Sequence, residues 1–264
     1  MQQRHTERLQ YFNEQAGTSQ EYYMDYLRPF TSFHGARILE IGCGEGGNLK
    51  PFAESGCEVT GIEMDATRVA QARTFFAQAG LRATFVCQDF LQMEAPADDS
   101  GCFDIILLHD VIEHIMPAQK HAFLKHIRQF LRPSGVLFVG FPAWQNPFGG
   151  HQQISVGMAS KLPFIHLLPR PVYRWLLRMS GSSAAMVSEL MDIRTSRMTI
   201  ESFQRLALAS GFAVKQRTLW LINPHYKQKF GLRPRRLWQP FASLPYVRNV
   251  YTTSAFFLLT ASQA

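Results

Sequence analysis

The sequence predicts an α/β fold, a single mostly parallel sheet with helices on both faces. Three observations carry that prediction. From Arg37 onward, short β-type runs alternate with helix-length segments, the pattern of repeated βαβ units. The apolar run Ile38-Leu39-Glu40-Ile41 leads straight into Gly42-Cys43-Gly44-Glu45-Gly46-Gly47 and then a helical stretch, Leu49 to Ser55, which reads as strand, tight turn and helix. The chain of 264 residues is 46% hydrophobic, enough to bury a sizeable core.

Residues 1–35 come first and are rich in aromatics. Tyr22, Tyr23, Tyr26 and Leu27 recur at helical spacing, so an N-terminal helical cap is expected, packed on the sheet, closing the mouth of a site, or both. Strand one is Arg37 to Ile41. Strand two, Glu58 to Glu63, follows the turn at Ser55-Gly56. Asp65 is placed to cap a helix over Ala66 to Ala79, which Gly80 stops. Strand three is Ala83 to Cys87 and strand four Phe103 to Leu108. A helix over Pro117 to Leu131 ends at Pro133-Ser134-Gly135, before strand five at Val136 to Phe141. Pro142 to Arg197 then breaks the rhythm with five prolines and the pair Gly149-Gly150. It is too long for an ordinary connection and reads as an elaboration with helices of its own. The pattern resumes with a helix at Thr199 to Ser210, strand six at Phe212 to Ile222, a basic loop, and strand seven at Ser254 to Thr260. The expected organisation is therefore a cap over 1–35 and an α/β domain over 36–264, with insertions at 143–197 and 223–248.

Charge is unevenly placed. Residues 1–142 hold 12 Lys+Arg against 17 Asp+Glu, and residues 143–264 hold 15 against 3, within an overall +7. The second half is thus set to face an anionic partner: phosphate, carboxylate, nucleic acid or a membrane surface. Cys43, Cys57, Cys87 and Cys102 form no C-x-x-C pair and read as small buried hydrophobes in a reducing compartment. Met1 to Gln10 has no secretory apolar core, and no stretch reaches the roughly 20 apolar residues of a membrane helix. A cytoplasmic location is expected.

Ligands of open parallel sheets bind at the carboxyl ends of the strands. Strand one supplies the glycine loop, which fits both G-x-G-x-x-G (Gly42, Gly44, Gly47) and E-x-G-x-G-x-G (Glu40, Gly42, Gly44, Gly46). Its backbone comes close to a ligand, and the helix behind it offers free N–H groups. Strand two ends in Glu63, an acceptor for two ribose hydroxyls. Strand three is followed by Gln88-Asp89-Phe90, where a carboxylate can accept from an adenine amino group or merely cap a short helix.

Taken together these residues resemble the class I S-adenosylmethionine-dependent methyltransferases, over most of 36–142 and the helix–strand–strand ending after 198. Glu40, Gly42, Gly44 and Gly46 match the first motif, Glu63 the ribose-binding acid and Asp89 the adenine-contacting acid. Phe103 to Asp110 resembles the strand-four motif. Leu131-Arg132-Pro133-Ser134-Gly135-Val136-Leu137 resembles the family's L-[KR]-P-G-G-x-[LF] step, with Ser134 where a glycine is usual. The resemblance implies a Rossmann-like seven-stranded sheet of order 3-2-1-4-5-7-6 with strand seven antiparallel, and S-adenosylmethionine as cofactor. It implies cofactor contacts from Glu40, Gly42, Gly44, Gly46, Glu63, Met64, Asp89, Phe90 and His109.

Asp110, Glu113 and His114 stand at i, i+3 and i+4. If Asp110 begins a helical turn they share a face, which suits a divalent cation. The set resembles the E-x-x-E-H motif of the ubiquinone-biosynthesis O-methyltransferases and the small-RNA 3′-end methyltransferases, with His151 as a further candidate ligand. The alternative is a metal-free pair that orients the turn or touches substrate. Methyl transfer is a direct in-line displacement, and a hydroxyl acceptor must also lose a proton. His114 is the first choice for that base and His151 the second. The leading expectation is O-methylation of a small anionic or lipid-linked acceptor, with peripheral membrane association in view. An RNA methyltransferase is the alternative, although no separate nucleic-acid module is present. A non-catalytic binding module is the third reading.

Overall fold

The computed structural model describes residues 7–262. Residues 1–6 of the expected cap, and 263–264 at the other end, lie outside the described residues. In chain order, α1 (Arg8–Thr18) continues through a π-helical turn, Ser19–Tyr23, into α2 (Met24–Leu27). The sheet then begins with β1 (Arg37–Ile41), followed by α3 (Lys50–Glu54), β2 (Glu58–Glu63), α4 (Ala66–Gln78), β3 (Thr84–Cys87), β4 (Phe103–His109), α5 (Lys120–Phe130) and β5 (Leu131–Phe141). The insertion carries α6 (Arg170–Met179) and α7 (Ala184–Ser196). The ending is α8 (Ile200–Ala209), β6 (Phe212–Ile222), α9 (His225–Phe230), β7 (Arg235–Arg236), α10 (Gln239–Ser243), α11 (Val247–Tyr251) and β8 (Ser254–Ala261).

Among the described residues there are eight strands in one sheet, ordered β3-β2-β1-β4-β5-β8-β6-β7. The first five run parallel, and β8 lies antiparallel between β5 and β6. This is the expected order, with the expected seventh strand as β8, plus one strand more. The additional β7 pairs antiparallel with the outer edge of β6 through Trp220↔Arg236 and Ile222↔Arg235. A two-residue strand of arginines covers an edge that would otherwise leave its N–H and C=O groups open to another chain.

Two boundaries also differ from expectation. β5 starts at Leu131 rather than after the Pro-Ser-Gly turn. Leu131 pairs with Phe103 and Val136 with Ile105, so the turn is a bulge inside the strand. The helix expected from Pro117 starts at Lys120, because residues 112–119 are taken up by turns.

Side chains of the central strands alternate between two cores, as the two-residue period of a strand requires. On β4, Ile106 and Leu108 join Phe123, Leu124 and Ile127 of α5 and Phe203 of α8. Ile105 and Leu107 join Phe12, Tyr23, Tyr26 and Leu27 of the cap on the other face. The cap is part of this core: the Tyr23 ring lies 5.0 Å from Phe138, and the Tyr26 hydroxyl donates to the Phe256 carbonyl at 3.1 Å. The insertion has a small core of its own, built on Trp144, Tyr173, Leu177 and Leu190. All four cysteines are free thiols, and Cys87 is exposed, contrary to the expectation that each is buried. Among the described residues no helix is long and apolar enough to cross a membrane.

Candidate functional site

The site begins where β1 ends. Gly42 has φ +72°, and a Cβ there would lie 2.6 Å from Val111 Cγ2, so both the turn and the packing require glycine. Gly44 has φ +54° and nothing within 4 Å of where its Cβ would be; it leaves bare backbone facing a cavity. Glu40 lies behind the loop. It is 1% exposed, and Asn48 Nδ2 donates to its Oε1 at 2.7 Å, tying strand to helix. Burial pushes its carboxyl up to about 8. Glu63, at the end of β2, leans over the same loop. Its Oε2 accepts from Gly44 N–H at 3.0 Å and its Oε1 from Met64 and Asp65 N–H at 2.8 and 3.0 Å.

The cap closes over this floor. Arg8 Nη1 donates to Glu45 Oε1 at 2.8 Å. Tyr11, Gln15 and Tyr23 from the cap and His225 from α9 enclose, with Gly42, Gly44 and Asp110, an inner cavity of about 130 Å³. An outer cavity of about 300 Å³ is lined by Asn146, Phe148, His151 and Ile154 of the insertion and by Asn223, Tyr226 and Lys229 around α9. The two cavities share Tyr11, Glu45, Arg68, Asp110 and His225.

His109, the last residue of β4, is packed between Tyr23, at 5.0 Å, and Phe138, at 6.4 Å. Its Nδ1 lies 3.3 Å from Asp110 Oδ2. Asp110 has φ +54°, so no helical turn starts there and the expected shared face with Glu113 and His114 does not form. Partial burial works against ionisation of Asp110, but the charge and hydrogen bond of His109, with His151 and His225, together hold the carboxyl low, at about 2.

The structure instead gathers Glu113, His114 and His151, whose donor atoms all lie within 4.8 Å of one another. Nε2 of each histidine is 4.0 Å from Glu113 Oε1, and the rings are 5.0 Å apart. Glu113 is buried with neither carboxylate oxygen hydrogen-bonded. Burial and the nearby Asp110 charge push its carboxyl well up. Burial also holds both histidines below their usual range, His114 at about 4 with His151 adding to the effect. Lys120, 5% exposed, donates from Nζ to the Ile112 carbonyl at 2.5 Å and so braces the turn that carries Glu113.

The residues singled out from sequence, together with aromatic and basic residues of the two insertions, fall into four groups. Gly42, Gly44, His109 and Asp110 line the inner cavity, and His151, Phe148 and Tyr226 the outer one. Glu63, Met64 and Asp89 stand at the ends of β2 and β3 outside both cavities, with Met64 69% exposed. Asp89 Oδ1 accepts from Leu91 N–H at 3.0 Å, the capping role that its sequence also allows. Glu40, Gly46, Phe90 and Trp144 face the interior; Phe90 packs on Phe123 and Phe130. Arg233, Arg235 and Arg236 lie at and beside the sheet edge, exposed, and Trp175 and Trp238 are exposed on outer helices and turns. Sequence reasoning passed over Arg68, Lys120, Asn146 and His225. Only His225 carried a signal, as a histidine in the basic loop.

Residues 38–135 match the methyltransferase domain family. The ubiquinone biosynthesis O-methyltransferase of Parvibaculum lavamentivorans is 32% identical over 168 residues, 64% of this chain and 61% of that protein. The one from Chelativorans is 36% identical over 107 residues, 40% of each chain. The matches thus span less than two thirds of these relatives. Among solved structures, magnesium protoporphyrin IX methyltransferase from Synechocystis with bound SAH aligns over 94% of this chain and 84% of its own, with TM-score 0.57 and 14% identity. An S-adenosylmethionine-dependent methyltransferase from Clostridium acetobutylicum aligns over 94% and 92%, with TM-score 0.59 and 9% identity. Identities this low speak for the fold alone.

Proposed function

We propose that the protein, whose residues 38–135 match the methyltransferase domain family, uses S-adenosylmethionine to transfer a methyl group to a hydroxyl oxygen of a small acceptor. The observation that carries this reading is the pair of joined cavities, one floored by the glycine loop and one lined by the insertion and α9. The bound cofactor supplies an electrophilic methyl on a sulfonium centre. The chain's residues fit it: Gly44 leaves backbone open to a ligand, Glu63 presents a carboxylate beside the loop that would hold the ribose, and Asp89, just after β3, would accept from the adenine amino group. The acceptor would sit in the outer cavity, and Asp110 on the shared wall supplies an anion that would favour a positively charged sulfonium in the inner one. His151, uncharged at neutral pH and on that cavity's wall, takes the hydroxyl proton, with His114 beside it. Closure by the cap excludes water, so positioning supplies much of the acceleration.

The acceptor is anionic or lipid-linked. Arg8, Arg68 and Lys229 line the cavities together with Phe148, Ile154 and Tyr226, a combination suited to a charged head on an apolar body. The test is transfer of labelled methyl from S-adenosylmethionine to 3,4-dihydroxybenzoate and to a prenylated phenol. Label on a hydroxyl oxygen, reduced at least about tenfold in His151→Ala, is expected. SAH binding with no transfer to either probe would favour a non-catalytic module.

A second reading rests on Glu113, His114 and His151. A buried carboxylate without hydrogen bonds beside two uncharged imidazoles is a donor set for a divalent cation. A bound cation would lower the pKa of an acceptor hydroxyl. Elemental analysis and activity after exhaustive chelation decide: metal-free, fully active protein removes this reading and leaves His151 as the base.

A further inference from the structure

The last quarter of the chain carries an exposed surface that the methyl-transfer reading does not use. No acidic residue follows Glu201, while nine lysines and arginines do. Arg233, Arg235 and Arg236 are exposed at and beside the β7 edge. Among the described residues no carboxylate lies within ion-pair distance of these three. Next to them in the chain, α10, α11 and the turn between them expose Trp238, Phe241, Leu244, Tyr246, Val247 and Tyr251. The patch is continuous through its rings: Trp238 lies 5.9 Å from Phe241, and Phe241 5.2 Å from Tyr251. Tyr246 is 65% exposed and Trp238 68%. Tyr246 also has φ +65°, an uncommon backbone conformation for an aromatic residue.

We propose that this surface, Arg233–Arg236 with α10 and α11, docks the protein on an anionic lipid bilayer. Aromatic rings with polar edges, aliphatic side chains and arginines without a carboxylate partner, one of which (Arg236) lies over the Trp220 ring, match the three layers of a membrane interface: headgroup phosphate, the headgroup–acyl boundary and the first methylenes. Two other occupants fit less well. A nucleic acid would use the arginines and rings but has no use for Leu244 and Val247. A second copy in a two-fold contact would bring the same uncompensated arginines together. The position also serves the site. α9 supplies Tyr226 and Lys229 to the outer cavity and runs directly into β7, so docking here places a cavity wall next to the bilayer.

The test is co-sedimentation of the full chain with vesicles of phosphatidylcholine alone and of equal parts phosphatidylcholine and phosphatidylglycerol. Two variants are compared, Arg233→Gln/Arg235→Gln/Arg236→Gln and Trp238→Ser/Tyr246→Ser, each first shown by melting temperature to be folded. Wild type should bind the anionic vesicles and not the neutral ones. The triple variant should lose about a hundredfold in partitioning, and the aromatic variant at least about tenfold. Binding that survives in both variants would move the contact to another surface and overturn the proposal. So would no vesicle binding, a dimer in light scattering that Trp238→Ser/Tyr246→Ser dissolves, or salt-dependent binding to single-stranded RNA in place of vesicles. The readout does not depend on the cofactor, so failure of wild type to bind SAH would defeat the methyl-transfer reading and leave this one untouched.

Discussion

Residues 37–142 supply their site groups from the carboxyl ends of parallel strands, whereas residues 143–262 supply theirs from turns and short helices outside the sheet. In the first region each group follows its strand at once: Gly42 after β1, Glu63 closing β2, Asp89 after β3, Asp110 after β4. Strand pairing fixes these positions, as Glu63↔Cys87 and Glu40↔Leu107 illustrate. In the second region His151, Asn146, Tyr226 and His225 reach the cavities only because the insertion and α9 pack there. The first region therefore offers a cofactor its glycine loop and three strand-end carboxylates, Glu63, Asp89 and Asp110. The second can change side chains, and so acceptor, without disturbing a strand.

If that division holds, substitutions in the two regions should separate cofactor binding from acceptor chemistry. The largest effect is expected from Gly42→Val, which places a β-branched side chain at φ +72° against Val111. It should cost about 3 kcal/mol or more in urea unfolding and abolish SAH binding. His151→Ala, by contrast, should leave SAH affinity within about twofold of wild type; a large loss would break the division.

A smaller effect is expected from Glu40→Gln. Burial raises the folded pKa of Glu40 to about 8. Below the unfolded value near 4.5 both states hold the proton. Between there and pH 8 only the folded state does, so wild-type stability falls with rising pH across that window and then levels off. The variant should remove on the order of 3 kcal/mol of that fall between pH 5 and 8, read from urea curves at the two values. An unchanged slope would mean that the carboxyl is not held protonated. The smallest effect is expected from Lys227→Met, which removes the exposed pair with Glu21 joining α9 to the cap. Its cost should stay under about 1 kcal/mol, and a larger one would make the cap–α9 contact a structural tie between the regions.

The same division explains what could be read from sequence. β1, β2 and β6 were legible to the residue because their apolar runs are bounded by turn formers. β7 was not, since two arginines at an edge have no hydrophobic pattern. Glu63 and the glycine loop were legible because their roles follow from local backbone geometry. The shared face of Asp110, Glu113 and His114 was read from helical spacing, but Asp110 takes φ +54° beside His109 and the spacing loses its meaning. His151 reaches Glu113 across 38 residues of chain, and no local period encodes that meeting. Phe90 leaves only its backbone for a ligand beside Asp89, since its side chain completes the core with Phe123 and Phe130.

We propose that residues 37–142 form the cofactor floor, with Glu63 on the ribose. Calorimetric titration of SAH into wild type and Glu63→Ala, the variant first shown to keep its melting temperature, tests it most directly. Removal of two charge-assisted hydrogen bonds should weaken binding by at least about a hundredfold. Equal affinity in the two proteins, or no binding to wild type, would contradict the account.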